Sequence, residues 1–255
     1  MMYPLALIIT GILIVVLALT VLNFRFLLYP LLPSLNPLKE AKRITLNGAT
    51  LFISDLHLRA NRPFRYSQSL RQLLEARRVS NLFVVGDLFQ SPGDARKIMA
   101  KDPAKSIAGL LGFDSPPIKV FFVHGSPHHD PPAKGQTIFA GTPISPLGRC
   151  AIIDFNRLKI IVYHGHDLSF KGAIGHGWNR FISKLSLERA WKRRAGVADS
   201  DWVIFGHTHL PGIDAKHRVA NCGGWQSIGF LVRPTCTGIF LSPENDSLEI
   251  VNLAR

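Results

Sequence analysis

Trp202-Val203-Ile204-Phe205-Gly206-His207-Thr208-His209 joins a short apolar run to two histidines that flank one threonine. An apolar, β-branched and aromatic run closed by glycine reads as a buried strand ending at Phe205. Alternate residues of extended backbone point to opposite sides, so His207 and His209 are expected to lean the same way off the strand tip. Imidazole suits zinc, iron, manganese and similar ions, and a strand-end loop gives it a rigid base with open approach. On its own, H-x-H also describes two ordinary loop histidines. Its weight comes from other strand ends that finish in ligand residues.

Working outward, Thr50-Leu51-Phe52-Ile53-Ser54 reads as a strand ending in Asp55-Leu56-His57, and Asn81 to Val85 as one ending in Gly86-Asp87. Lys119 to Val123 leads into His124-Gly125-Ser126-Pro127-His128-His129-Asp130, and Leu158 to Tyr163 into His164-Gly165-His166-Asp167. Helical stretches are expected at about Ser67 to Arg78 and Asp94 to Leu111, and a C-terminal hairpin pairs Thr237–Leu241 with Leu248–Val251. Short β-rich runs alternating with helices indicate an α/β or layered α+β domain. Ligands at neighbouring strand termini converge on one rim of a sheet, where open α/β sheets bind their ligands. A carboxylate buried there without a partner is costly, so pairing or metal coordination is expected of Asp55 and Asp87.

The ordered set Asp55-x-His57, Gly86-Asp87, Gly125…His129-Asp130, His164 and Gly206-His207-Thr208-His209 resembles the calcineurin-like metallophosphoesterases over about Leu51 to Cys222. The resemblance implies a four-layer αββα sandwich, two mixed sheets packed face to face with helices outside. It also implies two divalent metal ions, commonly manganese, iron or zinc, with manganese preferred. Carried over by motif, the first ion takes Asp55, His57 and His209, the second takes His164 and His207, and Asp87 bridges both. Such a pair of cations polarises a phosphoryl oxygen and stabilises the charge of an in-line displacement. Asn221-Cys222-Gly223-Gly224-Trp225 is similar to a turn often found after G-H-T-H in the family.

Two departures stand out. Where the family has Gly-Asn-His-Asp, this chain has Gly125-Ser126-Pro127-His128-His129-Asp130. Aligned on the right, His128 replaces the asparagine ligand and His129 takes the general-acid position; aligned on the left, Ser126 replaces it. Imidazole is the better ligand, which favours His128. The family often shows Gly-Asp-x-x-Asp with the later Asp orienting the acid histidine; here that position is Gln90, and Asp130 is a candidate substitute.

The N-terminal run Leu5 to Leu22 carries no charge, and 18 to 25 apolar residues span a hydrocarbon core of roughly 30 Å. A basic n-region of a cleaved signal is missing, and a buried helix would show a polar stripe. Residues 1–29 are therefore expected to be a transmembrane anchor, and residues 30–43 a proline-broken linker (Pro30, Pro33, Pro37) ahead of a domain at 44–255. Arg25, Lys39, Lys42 and Arg43 follow the run, so the positive-inside bias places the domain on the cytoplasmic side of a single-pass protein. The 255 residues carry a formal net charge of +13, which favours an anionic partner: nucleic acid, an anionic membrane or a phosphate-bearing substrate. Three cysteines without a CxxC pair argue against a disulfide framework.

Between Lys171 and Arg194, Trp178, Phe181, Ile182, Leu185 and Trp191 recur at helical spacing among Arg180, Lys184, Arg189, Lys192 and Arg193, with Glu188 the one opposing acid. This is either a surface helix packed on the core or a helix at the membrane surface or over the active site. In the second reading Trp178, Arg180 and Lys184 bind substrate. A similar insertion before G-H-T-H occurs in the UDP-2,3-diacylglucosamine pyrophosphatases, which the chain resembles more weakly. The leading expectation is a membrane-anchored phosphoesterase acting on a lipid-linked or sugar-nucleotide phosphate or diphosphate, with His129 and Asp130 in the catalytic apparatus. A nuclease or nucleotide phosphodiesterase, and a non-catalytic scaffold on the same fold, are the alternatives.

Overall fold

The computed structural model describes residues 7–14, 17, 31–32, 35–100, 111, 118–131, 144–169, 171–227 and 232–252. In chain order its strands are β1 (Lys42–Thr45), β2 (Thr50–Ile53), β3 (Asn81–Val85), β4 (Lys119–Val123), β5 (Ile144–Pro146), β6 (Cys150–Phe155), β7 (Leu158–Tyr163), β8 (Trp202–Phe205), β9 (Gly212–Asp214), β10 (Val219–Asn221), β11 (Thr237–Leu241) and β12 (Leu248–Asn252). The main helices are α1 (Ser67–Ala76), α2 (Pro92–Met99), α3 (Gly172–Phe181) and α4 (Ser186–Ala195).

One sheet runs β12-β11-β2-β3-β4-β5 and the other β1-β6-β7-β8-β10-β9. β2, β3, β4 and β5 are mutually parallel, as are β7, β8 and β10. Both faces of β2, β3 and β8 are covered, which is why they read as largely apolar runs. Alternation assigns the faces: Leu51, Ile53, Leu82 and Val84 pack with Leu70 and Leu74 of α1 and Ile98 of α2. Phe52, Phe83 and Val85 turn the other way, into a core shared with Ile153, Ile160, Val162 and Ile204 of the second sheet. On the far side of that sheet, Ile161, Tyr163, Val203 and Phe205 pack with Leu187 and Trp191 of α4. The result is a mixed sandwich of two sheets between helices. Burying each large apolar side chain contributes about 1.5–3 kcal/mol, so the inter-sheet core welds the two rims into one.

Local chemistry sets the boundaries. α2 starts where Ser91 Oγ accepts the Asp94 N–H at 3.1 Å and Pro92 supplies a preset φ. The basic segment is two helices rather than one, because Leu185 takes a left-handed φ of 59° and breaks it. Leu185 and Trp191 are buried, Trp178 packs on the same cluster, and Phe181 and Ile182 stay 82% and 65% exposed. β1 pairs with β6 through Lys42 and Arg43, so the end of the 30–43 stretch belongs to the sheet. Half of the expected span Leu5–Leu22 falls outside the described residues, and among the described residues no helix is long and apolar enough to cross a membrane. The stretch 101–110 of the expected second helix also lies outside them.

Candidate metal centre

The loops after β2, β3, β4, β7 and β8 meet at one rim. Backbone bonds tie them together: Asp55 N–H donates to Gly86 O at 3.2 Å, His57 N–H to Asp87 O at 3.0 Å, and Gly206 N–H to His164 O at 3.1 Å. Asp55, His57, Asp87, His207 and His209 all have positive φ, between 46° and 62°. Such residues are uncommon outside glycine and hold strain of order 1 kcal/mol or more each. The sharp bends turn each side chain back into a shared space. They also separate the two histidines of the G-H-T-H stretch: β8 ends at Phe205, and His207 and His209 sit on a turn and face different partners.

Three groups of potential ligand atoms result, each with its atoms within 4.8 Å of one another: Asp55, His57 and His209; His57, Asp87 and His129; and Asp87, His164 and His207. Asp55 Oδ1 lies 3.0 Å from His209 Nε2 and 3.9 Å from His57 Nε2. Asp87 divides its oxygens, with Oδ1 3.4 Å from His164 Nε2 and Oδ2 3.9 Å from His57 Nε2. Gly86, at φ 76°, and Gly125 are needed for this approach. A Cβ on Gly125 would fall 2.2 Å from Asp87 Oδ1, and one on Gly86 2.4 Å from the His164 ring.

The outer partners orient the rings. His164 Nδ1 lies 2.8 Å from Val85 O, which leaves Nε2 turned toward Asp87, and His207 Nε2 lies 3.0 Å from Ser169 O. Burial drives His57 and His207 down to about 4, the neutral form a metal requires. Burial also opposes charge on His164, but the Asp87 and Asp55 carboxylates override it and lift the ring to about 10. Both carboxylates, pushed up by burial, are nevertheless held below the usual range by neighbouring imidazoles. His57 Nδ1, His164 Nε2 and His209 Nδ1 are buried without a hydrogen bond. Two buried carboxylates gathered with imidazoles require compensating positive charge, and this donor set fits divalent transition ions better than oxygen-preferring magnesium.

His129 belongs to the second group, with Nε2 3.8 Å from Asp87 Oδ2 and the ring 4.5 Å from that of His57. Its Nδ1 donates to the backbone carbonyl of Gln90 at 2.8 Å. The main chain thus does at position 90 what a carboxylate was expected to do. Asp130 lies elsewhere: it is buried and accepts backbone N–H groups from Gly125, Asp87 and Phe89. His128 joins none of the three groups. It is exposed on the turn after β4, and its N–H donates to Ser126 Oγ at 3.2 Å. Ser126 reaches Asp87 through its backbone, its N–H donating to Oδ1 at 2.8 Å.

Above the groups opens a cavity of about 530 Å³ lined also by Arg59, Gln90, Ser126, His128, Lys171, Gly172, Ala173, Gln226 and Ser227. Trp178, Arg180 and Lys184 do not line it. Arg59 follows His57 by two residues, and Lys171, the first residue of the basic segment, caps the start of α3. Glu188, Thr208 and Asn221 are buried behind the G-H-T-H turn, a contact that their places in the sequence do not reveal.

A family model described as the calcineurin-like phosphoesterase superfamily domain matches residues 49–237. A UDP-2,3-diacylglucosamine hydrolase of Enterobacter sp. (strain 638) is 25% identical over 244 residues, covering 76% of this chain and 98% of the relative. The protein of the same name from Salmonella paratyphi B is 26% identical over 235 residues, covering 73% and 95%. Among solved structures, Vps29 of Entamoeba histolytica complexed with Zn is similar at 16% identity and a TM-score of 0.45, covering 80% of this chain and 99% of that one.

Proposed function

Because the chain belongs to the calcineurin-like phosphoesterase superfamily and is a metal-dependent hydrolase of that family, we propose that it uses two divalent ions to cleave a phosphoester or diphosphate bond of a lipid-linked substrate. The observation that carries the two-ion reading is the division of Asp87, whose oxygens face different ligand groups. Asp55, His57 and His209 would hold one ion, His164 and His207 the other, and Asp87 both. Manganese, iron and zinc all suit this set. When bound, the ions supply Lewis-acid charge for the phosphoryl oxygens and make water acidic enough to react near neutral pH.

The protein's own part is positioning and proton delivery. His129, with Nδ1–H committed to Gln90 O, turns Nε2 toward the cavity, where its protonated form donates to the departing oxygen. His128 is assigned to the rim of the cavity rather than to an ion. Arg59 and Lys171 bring positive charge to the remaining phosphate oxygens. Asp130 is assigned a supporting role beneath Asp87.

The lipid-linked substrate is supported by the names of the curated relatives and by apolar surface. Leu7, Ile8, Ile12 and Leu13 are exposed on the N-terminal helical residues, which fits residues 1–29 as an anchor, and Arg25, Lys39, Lys42 and Arg43 after it favour the cytoplasmic side. Phe181 and Ile182, beside Arg180 and Lys184, form a second apolar tip. The test is a hydrolysis panel with the full chain and Mn²⁺: a UDP-linked diacyl sugar in vesicles, UDP-sugars, a nucleotide phosphodiester and DNA. Fastest cleavage of the lipid diphosphate is expected, with loss of rate in vesicles when the chain begins at Leu35. Efficient cutting of DNA with no lipid turnover would replace this reading with the nuclease one.

A further inference from the structure

Glu188 is fully buried on α4, yet it is met by donors from three other elements. Its Oε1 accepts the Thr208 hydroxyl at 2.9 Å and the Asn221 amide at 3.0 Å, and its Oε2 accepts the Asn179 amide at 2.7 Å. Thr208 separates His207 from His209, Asn221 ends β10, and Asn179 lies on α3. Asn221 also donates to Gly206 O at 2.7 Å, at the start of the same turn. The α3–α4 pair touches this turn twice more: His176 Nδ1 lies 3.1 Å from Thr208 O, and Ser169, just ahead of α3, holds His207 Nε2.

A turn with two left-handed histidines does not hold its shape unaided; surrounding contacts must over-determine it. A carboxylate is suited to that task because it accepts several donors at once, and charge-assisted bonds are stronger than neutral ones. We propose that Glu188 is a positioning residue for the metal centre, holding Thr208 so that the histidines on either side present their nitrogens to two different ions. The proposal rests on the reading of His207 and His209 as ligands of those ions. It makes the inserted helices part of the metal support rather than a cover that merely rests over the cavity.

The test uses the full chain, Mn²⁺ as the probe and four proteins: wild type, Thr208→Val, Thr208→Ser and Glu188→Gln. Mn²⁺ binding is titrated by calorimetry, and unfolding of the chelated proteins is followed separately. Thr208→Val and Glu188→Gln are expected to weaken Mn²⁺ binding about 10–100-fold, the range for lost outer partners of metal ligands, while Thr208→Ser, which keeps the hydroxyl, binds like wild type. Unchanged Mn²⁺ affinity in both weakened variants, with only a lower unfolding midpoint, overturns the proposal, since a purely structural clamp gives that result. Should Glu188→Gln fail to fold, the valine–serine pair decides. Wild type that binds no Mn²⁺ overturns the metal reading itself, an outcome distinct from a clamp without effect.

Discussion

The carboxylate of Asp130 lies behind Asp87 and accepts its backbone N–H at 2.8 Å, with the Gly125 N–H on the same oxygen at 2.7 Å. The loops after β3 and β4 are thereby joined beneath the carboxylate that faces two ligand groups. Asp130→Ala strands these buried donors, each at a cost of about 1–3 kcal/mol. The chelated variant is expected to unfold at lower urea concentration than wild type with an unchanged slope. An unchanged midpoint would deny Asp130 this supporting role.

Gly125→Ala tests the close approach from the other side. A methyl there meets Asp87 Oδ1 at 2.2 Å and the Asp87 backbone nitrogen at 2.4 Å, so the whole residue with its carboxylate must move. Because Gly125 is not among the positive-φ glycines, the effect is steric rather than conformational. Far-UV circular dichroism like that of wild type, with weakened Mn²⁺ binding, is expected. Normal Mn²⁺ affinity would mean that Asp87 does not need its observed place.

Much of this architecture is legible in sequence because β2, β3, β4, β7 and β8 are largely apolar runs that end in ligand residues. β9 and β10, of three residues each, are too short for any periodicity, and β1, Lys-Arg-Ile-Thr, reads as polar linker although it pairs at the sheet edge. Asp55, His57, Asp87, His164, His207 and His209 are recognisable by residue type and order. The left-handed backbone of Asp55, His57, Asp87, His207 and His209 is not, and so the parallel lean expected of His207 and His209 gives way to opposed roles. The orientation of His129 comes from a main-chain carbonyl, which no side-chain pattern can reveal. Glu188 shows the same limit: amid arginines and lysines it looks like a surface acid, yet its partners are distant in sequence.

His129→Ala is expected to lower kcat by roughly 10²–10⁴-fold, the usual loss for a general acid, with Mn²⁺ stoichiometry retained. His128→Ala, at an exposed rim position, should keep its metal and most of its rate. Loss of Mn²⁺ in His128→Ala with retention of activity in His129→Ala would reverse the two assignments.

Glu188 gives a pH signature in stability. Burial pushes its carboxyl above the ordinary 4.5, against the pull of its donors. The folded chain then binds more protons than the unfolded one between the two values, so this contribution to stability declines as pH rises from about 4.5 through the raised value. Glu188→Gln removes that slope. Urea midpoints of the chelated proteins across this range should converge at one end and diverge at the other; parallel curves would contradict the shift.

The central claim is a two-ion centre shared by Asp87, and metal content measures it most directly. Wild-type protein equilibrated with Mn²⁺ and freed of excess should carry two ions per chain. Asp87→Ala, folded by circular dichroism, should carry fewer than one and lose nearly all hydrolysis, since one substitution removes a ligand from both ions. A wild-type stoichiometry of one or none, or an Asp87→Ala protein that still holds two ions, would contradict the account.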